Sequence, residues 1–222
     1  TLFRSIYDLV IGTNTIQFDA MIYDEHIAYI GGAQAVLYKD GVAIGTPIPL
    51  VIGHNDDRIF NVTVSDADYQ IVIMLNYDNL DGNGTITGYV VADEVYHTLA
   101  KEVPVASGTV QSTDVDSALL DITVIDNDSV ISLPSLVAVI YKDGLPAMLP
   151  SIPLVRGLND DELFAGLLSD TTYEARIFAD YDLGDGVNVV TGELIGIITF
   201  TTDPKTIPSA EISNIITDKD TI

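Results

Sequence analysis

Ala35-Val36-Leu37-Tyr38-Lys39-Asp40-Gly41 returns as Ala138-Val139-Ile140-Tyr141-Lys142-Asp143-Gly144. The match runs on downstream. Ile48-Pro49-Leu50-Val51 answers Ile152-Pro153-Leu154-Val155, and Asn55-Asp56-Asp57 answers Asn159-Asp160-Asp161. Ser65-Asp66, then Tyr69, answers Ser169-Asp170, then Tyr173. Tyr77-Asp78 with Asp81-Gly82 answers Tyr181-Asp182 with Asp185-Gly186. The offset stays at 103 to 104 residues, so a whole domain is duplicated in tandem. A period that long is too large for a solenoid unit and right for a self-contained module.

The repeated stretch is a strand running into a turn. Gly supplies positive φ and Asp tolerates it, so Lys-Asp-Gly at 39–41 and 142–144 is a hairpin turn. Period-two alternation rich in branched residues extends the reading to Thr15–Tyr23 and Leu120–Ile125, half-buried strands of an antiparallel sandwich. In the second repeat, strand A is expected near 107–112, B near 117–126, C near 136–142 and C′ near 147–155. E follows near 162–168, F near 172–181 and G near 192–202. In the first repeat B falls near 14–23 and F near 68–77. The fold class is all-β: two complete antiparallel sandwiches and the first strand of a third. Residues 1–103 form the first repeat, with Thr1–Thr13 read as the exit from a preceding one. Residues 104–205 form the second repeat, and 206–222 begin a third, because Ser209-Ala210-Glu211-Ile212 lines up with Ser117-Ala118-Leu119-Leu120. The chain also lacks an initiating Met, and further copies are expected on both sides.

Leu167-Leu168-Ser169-Asp170-Thr171-Thr172-Tyr173 resembles the fibronectin type III pattern that leads into strand F, and Thr199-Phe200-Thr201-Thr202-Asp203-Pro204 resembles the last strand of such domains. The resemblance implies that Tyr173, and Tyr69 with it, forms a tyrosine corner. There are departures from the pattern. The chain has no Trp, so Phe18 and Leu120 substitute for the family's strand-B Trp; Ser169 stands where Pro precedes the Tyr. Leu37-Tyr38-Lys39-Asp40-Gly41 with Tyr181-Asp182-Leu183-Gly184-Asp185-Gly186 resembles sandwich repeats of long bacteriophage tail proteins and of bacterial surface proteins. That resemblance implies a spacer or surface-binding module, outside the cell or on a virion. The alternatives are a bacterial adhesin repeat and a carbohydrate-binding accessory module of a secreted enzyme. Expected partners are neighbouring repeats, a cell-surface or carbohydrate ligand, and further copies in a homo-oligomer of the full-length protein.

Thirty-three acidic residues stand against 9 basic ones, a formal charge of −24. Phosphate recognition needs clustered Lys and Arg, so nucleic acid is a poor partner and anionic membrane likewise. No apolar run reaches the roughly 18 residues of a membrane helix. With no cysteine there is no disulfide, thiolate site or thiol nucleophile. No enzyme is expected: G-x-S-x-G is absent, and His26, His54 and His97 have no counterparts in the second repeat. Asn79-Leu80-Asp81-Gly82-Asn83-Gly84-Thr85-Ile86 mimics an EF-hand loop, but Asn79 opens it and Val90 stands at the twelfth position, where the loop needs Glu. Gly82, Gly84 and Gly88 miss the spacing of a dinucleotide loop.

The acids cluster by strand end. Strands B, C′ and F run toward one pole, and each ends in acid: Asp24-Glu25 and Asp126-Asn127-Asp128, then Asn55–Asp57 and Asn159–Asp161, then Asp78, Asp81, Asp182 and Asp185. Two readings stay open. One is a set of independent Asx-type turns in solvent. The other is a calcium-bridged seam at Asp126, Asp128, Asp182 and Asp185, with Asp24, Asp78 and Asp81 in the first repeat, or a bridge supplied by Lys39. Tyr38, Tyr77, Tyr141 and Tyr181 flank the turns, either as wet-tipped packing residues or as a sugar-stacking platform.

Overall fold

A computed structural model describes residues 2–24, 29–78, 82–187 and 189–211. Two compact units divide the chain. One comprises Thr1–Pro104, Asp126–Ser132 and Asp180–Thr191; the other comprises Val105–Ile125, Leu133–Ala179 and Gly192–Ile222.

Among the described residues, seven strands build the first sandwich: β1 (Leu2–Ile11), β2 (Thr15–Asp24), β3 (Tyr29–Lys39), β4 (Val42–Pro49), β5 (Gly53–Asn61), β6 (Asp68–Asp78) and β7 (Thr85–His97). One sheet has the order β1-β2-β5 and the other β4-β3-β6-β7. Alternation decides which residues face in. Ile16, Phe18, Ala20 and Ile22 of β2 meet Tyr69, Ile71, Ile73 and Leu75 of β6 in one core. Phe18 stacks on Phe60 with centroids 5.7 Å apart. Each buried Ile, Leu or Phe among them stabilises the sandwich by roughly 1.5–3 kcal/mol before entropy is counted.

Leu2–Ile11 is a strand of this sandwich, hydrogen-bonded to β2 from Leu2↔Asp24 to Ile11↔Ile16. This corrects the assignment of Thr1–Thr13 to the exit from a preceding repeat. Ile6 and Leu9 pack on the first core. Asp8, at φ 46°, accommodates the irregularity between Tyr7 and Val10 that breaks the sequence alternation.

The second sandwich holds β8 (Val105–Thr113), β9 (Ser117–Ile125), β10 (Ile131–Lys142), β11 (Leu145–Pro146), β12 (Ile152–Pro153), β13 (Gly157–Ala165), β14 (Thr172–Tyr181) and β15 (Val190–Thr201). Its sheets are β8-β9-β13 and β11-β10-β14-β15, with β12 also on β10. Ala118, Leu120, Ile122 and Val124 of β9 and Tyr173, Ala175, Ile177 and Ala179 of β14 are buried, every second residue. A Cβ on Gly196 would overlap the carbonyl oxygen of Ala106, and one on Gly108 would overlap that of Asp121. These two glycines let backbones approach where a side chain has no room.

Both Lys-Asp-Gly turns form as read. Asp40 and Gly41 have φ of 51° and 76°, Asp143 and Gly144 of 52° and 78°. Lys39 pairs with Val42 and Lys142 with Leu145 across them. Two successive positive φ values match the right-handed twist of the flanking strands.

Strand C′ differs between the repeats. In the first it is the continuous β4; in the second only Ile152–Pro153 forms within the expected 147–155, with Leu145–Pro146 paired just ahead of it. Pro146, Pro150 and Pro153 remove ladder donors, and Ser151 has no counterpart between Pro47 and Ile48. Residues 206–211 add no strand, and 212–222, expected as strand B of a third repeat, lie outside the described residues.

Candidate functional site

The polar residues that recur in both repeats come together at backbone atoms. Asn55 is fully buried, with its Oδ1 accepting from Val51 N (2.8 Å) and its Nδ2 donating to Val51 O (2.8 Å) and Gly53 O (3.2 Å). Asn159 repeats this on Val155 N (2.7 Å), Val155 O (2.9 Å) and Gly157 O (3.3 Å), and both amides also donate across the strand, Asn55 to Ala20 O (3.4 Å) and Asn159 to Ile122 O (3.2 Å). Thr98 and Thr202 are buried as well. Thr98 Oγ1 accepts from Ala67 N at 3.0 Å and Thr202 Oγ1 accepts from Thr171 N at 3.1 Å. Thr202 Oγ1 also donates to Leu168 O at 2.6 Å. Tyr69 Oη donates to Val64 O (2.9 Å) and accepts from Val64 N (3.2 Å); Tyr173 Oη accepts from Leu168 N (2.8 Å). Each hydroxyl thus ties strand F to backbone five residues upstream, which is tyrosine-corner geometry.

The acids divide into two groups. Asn55-Asp56-Asp57 and Asn159-Asp160-Asp161 do not join the strand-end loops. They lie inside β5 and β13, at bulges where two residues oppose one on the partner strand. The opposing residues are Asp19 and Asp121: Asp57 N donates to Asp19 Oδ1 (2.7 Å) and Asp161 N to Asp121 Oδ1 (2.9 Å). Asp57 and Asp161 take positive φ, 54° and 53°, which Asp tolerates better than most residues. Among the described residues, Asp121, Asp160 and Asp161 bring one ligand oxygen each within 4.8 Å of one another. The Asp121 charge, then that of Asp161, holds the Asp160 carboxyl above its ordinary pKa. Hard cations favour such an oxygen set. The sequence held a signal for Asp19 and Asp121, an acid in the middle of an apolar strand, but period-two alternation assigns it to the solvent face.

The strand-end acids cap turns. Asp126 accepts from Val130 N (2.8 Å) and Ile131 N (3.0 Å), one on each oxygen. Asp182 Oδ1 accepts from Gly184 N (2.7 Å) and Asp185 Oδ1 from Val187 N (2.8 Å). In the first compact unit Asp128 Oδ2 accepts from Glu102 N (2.7 Å). Asp78 ends β6 opposite Thr85, and Asp24 ends β2. The Asp24 side chain and the whole of Asp81 lie outside the described residues, as do Asn79 and Leu80, which open the mimic of an EF-hand loop. Lys39 Nζ is paired with its neighbour Asp40 at 2.9 Å, which raises the lysine's pKa.

His97 Nδ1 lies 2.8 Å from Asp68 Oδ1, and His97 Nε2 lies 3.0 Å from Asp66 Oδ1. Bonds to Asp68 and then Asp66 hold its pKa above the usual value. His54 Nδ1 meets Tyr7 Oη at 2.9 Å; His26 lies outside the described residues.

The tyrosines at the turns take different surroundings. Tyr181 is buried. Tyr77 meets Tyr89 edge-on at 5.1 Å. Tyr141 lies 6.1 Å from Phe178, and the Arg176 guanidinium sits 4.2 Å over its ring. Arg176 is paired with Glu174 at 2.7 Å. This half-exposed group of aromatic and guanidinium planes lies on β10 and β14.

The hollows are open and shallow. One of about 350 Å³ is lined by Leu37, Ile44, Ile48 and Phe60, and one of about 220 Å³ by Leu149, Ile152, Leu163 and Phe164. They occupy matching places between strands C′ and E of the two repeats.

Strand order A-B-E against C′-C-F-G, twice over, is a fibronectin III-like tandem of β-sandwiches. No protein-family model matches the sequence, and no curated protein matches it. Among solved structures, the chain is similar to the central fibronectin-III array of RIM-binding protein, with 12% identity over 94% of this chain and 72% of that one and a TM-score of 0.29. It is also similar to the FN1–FN3 domains of chicken CNTN1, with 13% identity over 89% of this chain and 64% of that one and a TM-score of 0.32.

Proposed function

We propose that this chain is a non-enzymatic structural and adhesive segment of a larger extracellular or virion protein, a spacer that positions other parts, as in a phage tail or fibre. One observation carries the reading. Both repeats use the same polar residues, Tyr69 and Tyr173, Asn55 and Asn159, Thr98 and Thr202, to bond their own backbone. Such bonds resist extension of each sandwich. Single-molecule pulling of the whole chain tests this: two separate unfolding events are expected, each releasing a chain of about 100 residues at about 3.3–3.6 Å per residue. A single event, or unfolding at negligible force, sinks the spacer reading. A bacterial adhesin repeat obeys the same physics and differs in what flanks it, a wall anchor rather than a receptor tip.

A carbohydrate-binding accessory module is the second reading, supported by the Tyr141, Phe178 and Arg176 planes on one sheet face. Glycan-array binding lost in Tyr141→Ala would favour it. Calcium at Asp126, Asp128, Asp182 and Asp185 belongs to the spacer proposal, and so do further copies of the chain in an oligomer. Millimolar Ca²⁺ raises Tm by mass action if these acids take an ion. Identical melts with calcium and with chelator in low salt remove calcium from the reading.

A further inference from the structure

Met148 sits where its backbone and its side chain are at odds. Its φ is 59°, in the left-handed region that suits glycine. Counted from Asp40-Gly41 and Asp143-Gly144, the first repeat has Gly45 at this place, with φ 68°. The methionine in the second repeat therefore carries a backbone strain that the first repeat avoids. It gains no packing in return, being 95% exposed. Leu145 and Leu168 beside it are 70% and 61% exposed. With Pro146, Leu149 and Tyr173 they line an open hollow of about 460 Å³. Gly166, at φ 81°, adds no side chain to the hollow's wall. Scattered exposed apolar residues are ordinary; three around one hollow, one of them strained, mark a contact surface.

We propose that this hollow docks an apolar side chain presented by a cationic segment of another protein. Methionine suits the task, because its unbranched, polarizable side chain adapts to what it meets. The sign of the partner follows from charge. The chain carries −24, so a second copy is repelled and a cationic segment is drawn in. Of the lining residues, Lys142 is paired with Asp143 at 3.3 Å; Asp170, two residues after Leu168 in the chain, is exposed. The spacer reading does not require this surface, and the surface can fail while the spacer stands.

The test uses the full chain and a fluorescent twelve-residue peptide, a central leucine pair flanked by lysines. Two control peptides replace the lysines by glutamates or the leucines by serines. Binding is expected for the lysine–leucine peptide alone, at least tenfold weaker in Met148→Gly and in Leu168→Ser. Met148→Gly should also raise Tm, by about 4 °C, as strain is relieved in a domain of this size. The gain in stability with the loss of binding separates docking from a structural role. Equal binding by the variants, or by the lysine–serine peptide, overturns the proposal. So does a lower Tm for Met148→Gly, which would place the methionine's packing at home. A wild-type dimer that Met148→Gly abolishes would name a second copy as the occupant and overturn the cationic partner.

Discussion

Asn159 holds Val155 at both of its backbone polar atoms, accepting from the amide at 2.7 Å and donating to the carbonyl at 2.9 Å. A side-chain amide accepts through its oxygen and donates through its nitrogen, so it replaces a missing rung of sheet where the chain enters β13. Asn55 does the same for Val51 ahead of β5.

Asn159→Ala leaves these buried groups without partners and should cost about 3 kcal/mol. Asn159→Asp should be at least as damaging, since a carboxylate cannot donate to Ile122 O, Val155 O or Gly157 O. Urea melts of Asn55→Ala, Asn159→Ala and the double variant check this. A loss below 1 kcal/mol at either site contradicts the staple.

Tyr173→Phe and Tyr69→Phe should each cost roughly 0.5–1.5 kcal/mol net. Tyr69 exchanges two bonds with Val64, so its loss should be the larger. Denaturant melts showing no loss at either position would remove the corner's energetic role.

His97 gives a pH signature of known sign. Its folded pKa is raised, so protonation favours the fold. The contribution is fully present below the unfolded value of about 6.5 and is lost as pH rises through the folded pKa. Across pH 5.5 to 8.5 the Tm of wild type relative to His97→Gln should fall. The difference should shrink in high salt, because the site is exposed. A difference flat in pH contradicts the Asp66–His97–Asp68 bridge.

Gly196→Val forces a side chain onto the Ala106 carbonyl. It should destabilise the second sandwich by about 1–3 kcal/mol and speed hydrogen exchange along β8 while β10 and β14 stay protected. Unchanged exchange in β8 would mean that the close approach is dispensable.

The sequence made the core strands legible because alternation reports which residues face inward. Ser117–Ile125 and Thr172–Tyr181 were read to within a residue for that reason. Alternation does not report which backbone atoms lie opposite a side chain. Asn159-Asp160-Asp161 therefore read as a loop, although it is a bulge in a strand, and Asp8 hid β1 by breaking the period. The importance of Thr98 and Thr202 lies in the buried amides of Ala67 and Thr171, which tertiary contact alone brings near. The acidic turns were visible as acids, but their bonds to Val130 N or Gly184 N depend on backbone dihedrals that composition does not fix.

Strand C′ forms an edge in both repeats, and in both it is studded with proline: Pro47 and Pro49 in β4, Pro146 and Pro153 in β11 and β12. Adjacent copies with similar sequences emerge from the ribosome one after the other, and each could lend a strand to the other's half-formed sheet. An edge short of N–H groups is a poor template for such an exchange. The fractured C′ of the second repeat, which loses ladder bonds once folded, thus gives nascent neighbours less to mistake for their own.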